Sequence, residues 1–190
     1  MNGYSRQYNS EKDFDLRLIN GGTSVGIIKY LGSNTEVKIP PTIRNLPVTA
    51  IGKVAFLGKQ LINVSIPNSI IHIGDGAFAK NRLSYIEVPN GITHIGHGVF
   101  AENHLASVHI PTGVTHIGNR AFAINKLVAI AIPDSVLHIG DGAFATNLLT
   151  SVTIPSGVTH IGEVAFWGNQ LVSITIGKTH IGKDAFAKIN

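Results

Sequence analysis

The sequence predicts a solenoid, a chain wound into stacked turns around one apolar interior with a parallel β-sheet along one side. Three observations carry this. The dipeptide Ile-Gly begins at Ile51, Ile73, Ile95, Ile117, Ile139 and Ile161, always 22 residues apart, and returns at Ile181 after 20. Apolar columns keep step with it: Phe56, Phe78, Phe100, Phe122, Phe144, Phe166 and Phe186 stand five residues after each Ile, and Leu61, Leu83, Leu105, Leu127, Leu149 and Leu171 stand ten after. A Leu-x-x-Val-x-Ile segment such as residues 149–154 recurs before a proline. A fixed period of this length is the mark of a repeat architecture. One unit holds roughly six apolar side chains, each worth about 1.5–3 kcal/mol when buried, and cannot close a core alone. Stacked units bury those side chains as shared columns.

Residues 1–36 read as an N-terminal tail and capping hairpin, and residues 37–190 as an array of 22-residue units whose last member is incomplete. Phe14, Leu16 and Leu18 alternate with Asp15 and Arg17, the pattern of a half-exposed strand. Asn20-Gly21-Gly22 is a turn signal, and residues 27–30 form the returning strand. Such a hairpin hides the first open edge of the stack. Val37-Lys38-Ile39-Pro40 matches the strand-proline pattern and is the first rung, followed by an insertion around Arg44-Asn45-Leu46-Pro47.

Within each unit the Val-x-Ile pair faces inward and the residues between face out. Pro67, Pro89, Pro111, Pro133 and Pro155 lack an amide hydrogen, so they end the ladder and begin the bend. Gly52, Gly74, Gly96, Gly118, Gly140 and Gly162 mark a second corner with an expected positive φ. The Ala-Phe stretch, as in residues 163–167, is expected to form a single helical or 3₁₀ turn on the outer side. The last unit has Gly177 in place of proline, and no polar cap follows before Asn190. The expectation is an open end, covered by another domain, by a second copy, or by sequence missing from this chain.

Composition narrows the function. Apolar residues make up 44% and charged residues 14%, the reverse of a disordered chain. The chain has no cysteine, which excludes disulfides, thiolate metal sites and a cysteine nucleophile. Lys plus Arg is 15 and Asp plus Glu 11, a net +4 spread without runs, so no nucleic-acid tail is indicated. Residues 1–20 have no apolar core of a signal peptide, and no apolar stretch is long enough for a membrane-spanning helix.

The unit LTSVTIPSGVTHIGEVAF at residues 149–166 resembles the BspA-like (TpLRR-type) leucine-rich repeats, whose pattern is Leu-x-x-Val-x-Ile-Pro-x-x-Val-x-x-Ile-Gly-x-x-Ala-Phe-x-x-Asn. The resemblance covers about residues 37–187, and residues 13–48 are similar to that family's leading cap. It implies a curved leucine-rich-repeat solenoid with the sheet on the concave face. It also implies a cell-surface, secreted or periplasmic protein that attaches to or binds other proteins or surface glycans, with no catalysis and no cofactor.

The residues themselves offer four columns. On the concave face most outward positions are small, and Tyr85, Glu87 and His109 form the large or ionisable cluster, with Asn63 and Lys38 on earlier rungs. Tyrosine suits a binding surface because one end is apolar and the other hydrogen-bonds. His72, His94, His116, His138, His160 and His180 precede the Ile-Gly anchor and are expected to stack. They read as a metal, anion or acid-sensing strip, or as a duplicated structural feature. A straight row lacks the convergent ligands of a tetrahedral zinc site, and neighbouring imidazoles should lower one another's pKa. Asn81, Asn103, Asn125, Asn147 and Asn169 read as an amide ladder that bonds turns. Trp167, at a position where most units have Ala, and Phe186 near the open end are candidate interface residues, for a partner or a second copy. Catalytic motifs fail: Gly177-Lys178-Thr179 lacks the earlier glycine of a phosphate loop, since Ser173 stands there, and no paired carboxylates or His-Glu-x-x-His occur.

Overall fold

A computed structural model describes residues 8–187. Residues 1–7 of the N-terminal tail and residues 188–190 of the array lie outside the described residues. The described chain is a β-rich solenoid of about seven turns.

The cap comes first. Strand β1 (Phe14–Ile19) pairs antiparallel with β2 (Ser24–Tyr30) across a 3₁₀ turn at Asn20–Gly22, where Gly21 adopts φ 66°. The returning strand thus begins three residues earlier than the sequence suggested. β3 (Glu36–Lys38) is the first rung of the repeat sheet. The insertion after it is a hairpin of β4 (Thr42–Ile43) and β5 (Leu46–Ile51), turned by Arg44 and Asn45 at φ 54° and 61°. β2 runs parallel to β5, so the cap extends a ladder of the solenoid itself. Phe14 and Tyr30 close the end of the core, with Tyr30 stacked on Phe56 at 5.3 Å.

The repeats build two kinds of strand. The Val-x-Ile segments give β6 (Asn63–Ser65), β8 (Tyr85–Glu87), β10 (Ser107–His109), β13 (Ser151–Thr153) and β15 (Ser173–Thr175). The His-Ile dipeptides give β7 (His72–Ile73), β9 (His94–Ile95), β11 (His116–Ile117), β12 (His138–Ile139), β14 (His160–Ile161) and β16 (His180–Ile181). The second ladder is the more continuous, running parallel from β9 through β11, β12 and β14 to β16.

The concave sheet differs from the single sheet expected. It consists of three parallel pairs, β3–β6, β8–β10 and β13–β15, and residues 129–131 form no strand. Each strand has only three residues, and all but β15 are followed within two residues by a proline that cannot donate, so few ladder bonds hold a pair. Ala129 and Ala131 also bring the least cross-strand side-chain contact.

Two further expectations are corrected. The Ile-Gly glycines do not adopt positive φ; the left-handed residues lie three and seven positions after each Ile, as at Gly76 and Lys80 or Gly98 and Glu102. The Ile-Gly corner needs glycine for space. A Cβ on Gly118 would lie 2.8 Å from the Gly96 carbonyl carbon and from Ile95 O, and one on Gly74 would lie 2.5 Å from Lys53 N. The outer arc is also not a helical turn. It is two successive β-turns, closed for example by Ala77 N–H to Gly74 O at 3.2 Å and Ala79 N–H to Gly76 O at 3.1 Å. Other outer amides point along the stack: Phe78 N–H donates to Val99 O at 2.9 Å, Phe100 N–H to Ala121 O at 2.9 Å. A helical turn would aim those donors back into their own unit, and the stack would lose this third ladder.

The core is a set of columns. Leu105, Ile117 and Phe122 are fully buried, as their periodicity requires, while Val108 is half-buried. The phenylalanine rings stack from Phe56 to Phe186 at 4.9–5.7 Å. Beside them runs the asparagine ladder. Asn125 accepts from Leu105 N–H of the preceding turn at 3.0 Å and donates to Phe100 O and Phe122 O at 3.0 and 3.1 Å. Asn81, Asn103, Asn147 and Asn169 repeat this pattern, all buried. The column is structural. No helix among the described residues is long and apolar enough to cross a membrane.

Candidate functional site

Alternation along the three-residue strands sorts side chains between core and concave surface. Val37, Val64 and Ile86 point inward and are buried, and the residues on either side of each point out. Pairing sets the outward neighbours: Glu36 lies beside Asn63, Lys38 beside Ser65, Tyr85 beside Ser107 and Glu87 beside His109. All five concave residues selected from the sequence, Lys38, Asn63, Tyr85, Glu87 and His109, therefore occupy one face over the first four rungs. Tyr85 leaves 48% of its surface open. Toward the C-terminal rungs the same columns hold Ala129, Ala131, Ser151, Thr153, Ser173 and Thr175, all small and exposed. The tyrosine, amide and ionisable side chains are thus confined to the N-terminal half of the face, and the other half is a smooth shelf.

Sequence reasoning missed what borders this half. Asn9 N–H donates to Lys38 O at 3.0 Å, and Lys38 N–H donates to Asn9 Oδ1 at 2.8 Å, so the segment before β1 runs along the outer edge of β3. Asn9 is fixed in turn by Nδ2 donating to Asp13 Oδ2 at 3.1 Å. The Lys38 ammonium sits 4.5 Å above the Tyr8 ring centroid. Together they bound an open recess of about 750 Å³, lined among others by Tyr8, Asn9, Asp13, Glu36, Lys38 and Asn63. Tyr8 and Asn9 stand outside the 22-residue period, so no repeat-based signal marks them.

The histidine column lies on the separate ladder of β9 to β16. Rings His94, His116, His138, His160 and His180 stack at successive centroid separations of 4.5, 5.8, 4.5 and 5.1 Å. The stack begins at His94, because β7, which carries His72, pairs with β5 and not with β9. Thr93 Oγ1 and Thr115 Oγ1 lie 2.9 Å from Nδ1 of His94 and His116. Burial, followed by the charges of His160 and His116, holds the His138 pKa below its ordinary value, against an opposing pull from Asp141. Asp75, Asp141 and Glu163 stand two residues after each Ile, at a corner the sequence reading passed over. There Asp75 Oδ1 accepts from His97 N–H and Asp141 Oδ1 from Glu163 N–H, both at 2.9 Å. No three histidines or carboxylates among the described residues come close enough together to hold a metal ion.

The two interface candidates fall differently. Phe186 is half-buried and stacks on Phe166 at 5.2 Å, so it continues the core column. Trp167 is half-buried on the outer arc, where its backbone N–H donates to Val164 O at 3.0 Å.

Comparison with known proteins follows the architecture. A model of the BspA type leucine rich repeat region matches residues 29–147 and 72–190, with six copies. Among solved structures, a leucine-rich repeat protein of T. pallidum (TpLRR) is 32% identical, with TM-score 0.84 over 93% of this chain and 86% of that one. A leucine rich cell surface protein from Faecalibacterium prausnitzii A2-165 is 26% identical, with TM-score 0.68 over 90% of this chain and 54% of that one. A leucine-rich repeat protein from Bacteroides ovatus, 24% identical, shares the fold with TM-score 0.72 over 94% of this chain and 56% of that one. This chain therefore spans little more than half the length of the last two. No curated protein matches it.

Proposed function

This chain belongs to the BspA-type leucine-rich repeat family, and on that premise we propose that it is a non-enzymatic binding module that engages a protein or surface glycan through its concave sheet. One observation carries the reading. Lys38, Asn63, Tyr85, Glu87 and His109 share the exposed face of adjacent rungs beside a recess of about 750 Å³. Three-residue strands between buried columns fix their backbones, so a ligand meets a surface already ordered. A half-exposed tyrosine next to a carboxylate, an imidazole, an amide and an ammonium can match both apolar and hydrogen-bonding groups. An open sheet does not close off water, which suits recognition better than chemistry. The F. prausnitzii neighbour is described as a cell surface protein, which supports an extracellular setting here.

The test is binding of labelled protein to cell layers and glycan arrays, with the double variant Tyr85→Ala/Glu87→Ala alongside. The reading expects the variant to lose the interactions of the parent. Equal binding would move the site off this face.

Assembly is a second reading, favoured by the last described rung. Among the described residues Ile181 is 47% exposed where the other Ile-Gly isoleucines are buried. On this reading a second copy covers that rung, close to Trp167. Molar mass by light scattering across a concentration series tests it; a mass that stays monomeric at the highest concentration removes it.

A further inference from the structure

The lateral histidine stack is the largest organised group of titratable side chains outside the concave face, and the binding reading above makes no use of it. Five rings from His94 to His180 lie nearly parallel, with interplanar angles of 2–28°. The threonine contacts fix where a proton can add. Thr115 Oγ1 donates its single hydrogen to Thr93 O at 3.2 Å, so at 2.9 Å it accepts from His116 Nδ1–H. Nε2 of His116, His138 and His160 makes no hydrogen bond among the described residues and is not a buried unpaired atom, so it meets solvent. The nitrogen open to a proton therefore faces solvent, and the threonine contact of His116 is made by the other one.

The charges around the stack are few. From the corner that follows it come His97, Asp141, Glu163 and Lys183; from the bend that precedes it come Asp134 and Lys178; Asp75 stands beside His72, below the stack. Asp141 is partly engaged by Glu163 N–H and Asn119 Nδ2. With the imidazoles neutral, the named carboxylates outnumber the two lysines, so this flank is weakly acidic. In its protonated form the stack is a straight row of cations at rung spacing, with no carboxylate paired to each one.

We infer that the stack from His94 to His180 is a proton-gated binding strip for a linear anionic polysaccharide lying along the solenoid axis. An anion spanning successive rungs offsets the repulsion between neighbouring imidazolium groups. Binding and protonation are then linked, each favouring the other. The site is separate from the concave face, so the two readings stand or fall independently.

The experiment is titration calorimetry of the full chain with dextran sulfate, polygalacturonate and neutral dextran, near pH 5 and near pH 7.5 at fixed ionic strength. The comparison protein is His116→Gln/His138→Gln/His160→Gln. Affinity of the parent for the charged chains should rise about tenfold or more on acidification beyond any rise in the variant. Neutral dextran should not bind. Repeating the titration in buffers of different ionisation enthalpy should show net proton uptake by the parent, a readout that does not depend on the variant folding. A preference between dextran sulfate and polygalacturonate identifies sulfate or carboxylate as the favoured group. Equal acid-induced gains in parent and variant, or binding without proton uptake, would overturn the inference and leave the overall basic charge as the cause.

Discussion

Replacing Asn125 by alanine tests whether the amide ladder holds the turns together. The asparagine accepts from Leu105 N–H at 3.0 Å and donates to Phe100 O, Phe122 O and Ala123 O at 3.0, 3.1 and 3.3 Å. The losses are unequal. Phe100 O keeps Asn103 at 3.2 Å and Phe122 O keeps Asn147 at 3.0 Å, so both carbonyls retain a partner. Leu105 N–H, in a fully buried residue, keeps none. An orphaned buried donor costs about 1–3 kcal/mol and the donated bonds add about 1 kcal/mol net, so the expected loss is about 3 kcal/mol. Urea unfolding followed by far-UV circular dichroism measures the total. Amide hydrogen exchange localises it, and a loss of about 3 kcal/mol should speed exchange at Leu105 by about two decades. A loss under about 1 kcal/mol with Leu105 still protected would show that the ladder does not carry the turns. Asn125→Asp is a sharper control. Its carboxylate can accept from Leu105 N–H but faces three carbonyls in a buried site, so its folded pKa must rise above the ordinary 3.9 or so. The folded state then binds the extra proton. The variant should be destabilised above that raised pKa and regain stability as pH falls through it.

Three further outcomes are expected. Gly118→Ala should destabilise the chain by about 2 kcal/mol in thermal melts, because its Cβ would press on Gly96 and Ile95 backbone of the neighbouring rung. Val54→Gly should raise stability by about 1 kcal/mol, since Val54 holds φ 52° at a position where other units place Gly76, Gly98 and Gly142. His138 has a folded pKa below the usual 6.5, so the unfolded chain binds more protons in that window. Stability should therefore fall as pH drops below about 6.5, and His138→Gln should flatten this slope in urea titrations across pH 5–8.

Much of this fold was legible because repetition turns a weak local signal into a strong one. A single Leu-x-x-Val-x-Ile segment fits several structures, but copies in phase fix which side chains must meet, and Phe56 to Phe186 stack as the period demands. The asparagine ladder was readable for the same reason. What escaped was set by contact between turns and left no local mark. The glycine after each Ile looks like a conformational residue in one unit, and only the neighbouring backbone shows that it is there for space. The outer arc looks like a helical turn until its amides are seen donating along the stack. The concave candidates were found by alternation alone, whereas Tyr8 and Asn9 lie outside the period and reach β3 only through the folded cap.

The two exposed columns differ in a way that bears on what each can bind. Inward side chains and asparagines hold the stack, so outward positions are free of that constraint. On the concave face the outward residues change from rung to rung, from Lys38 through Ser65 and Glu87 to His109, then to Ala131 and Thr153. Such a series offers one best placement to a ligand, because a shift by one rung meets different chemistry. On the lateral ladder the same imidazole recurs from His94 to His180, so a shift by one rung meets the same group again. That surface cannot select a register, but it suits a ligand that is itself periodic, and each added rung multiplies the contact. This contrast supports both proposals, a shaped ligand for the first face and a repeating polyanion for the second.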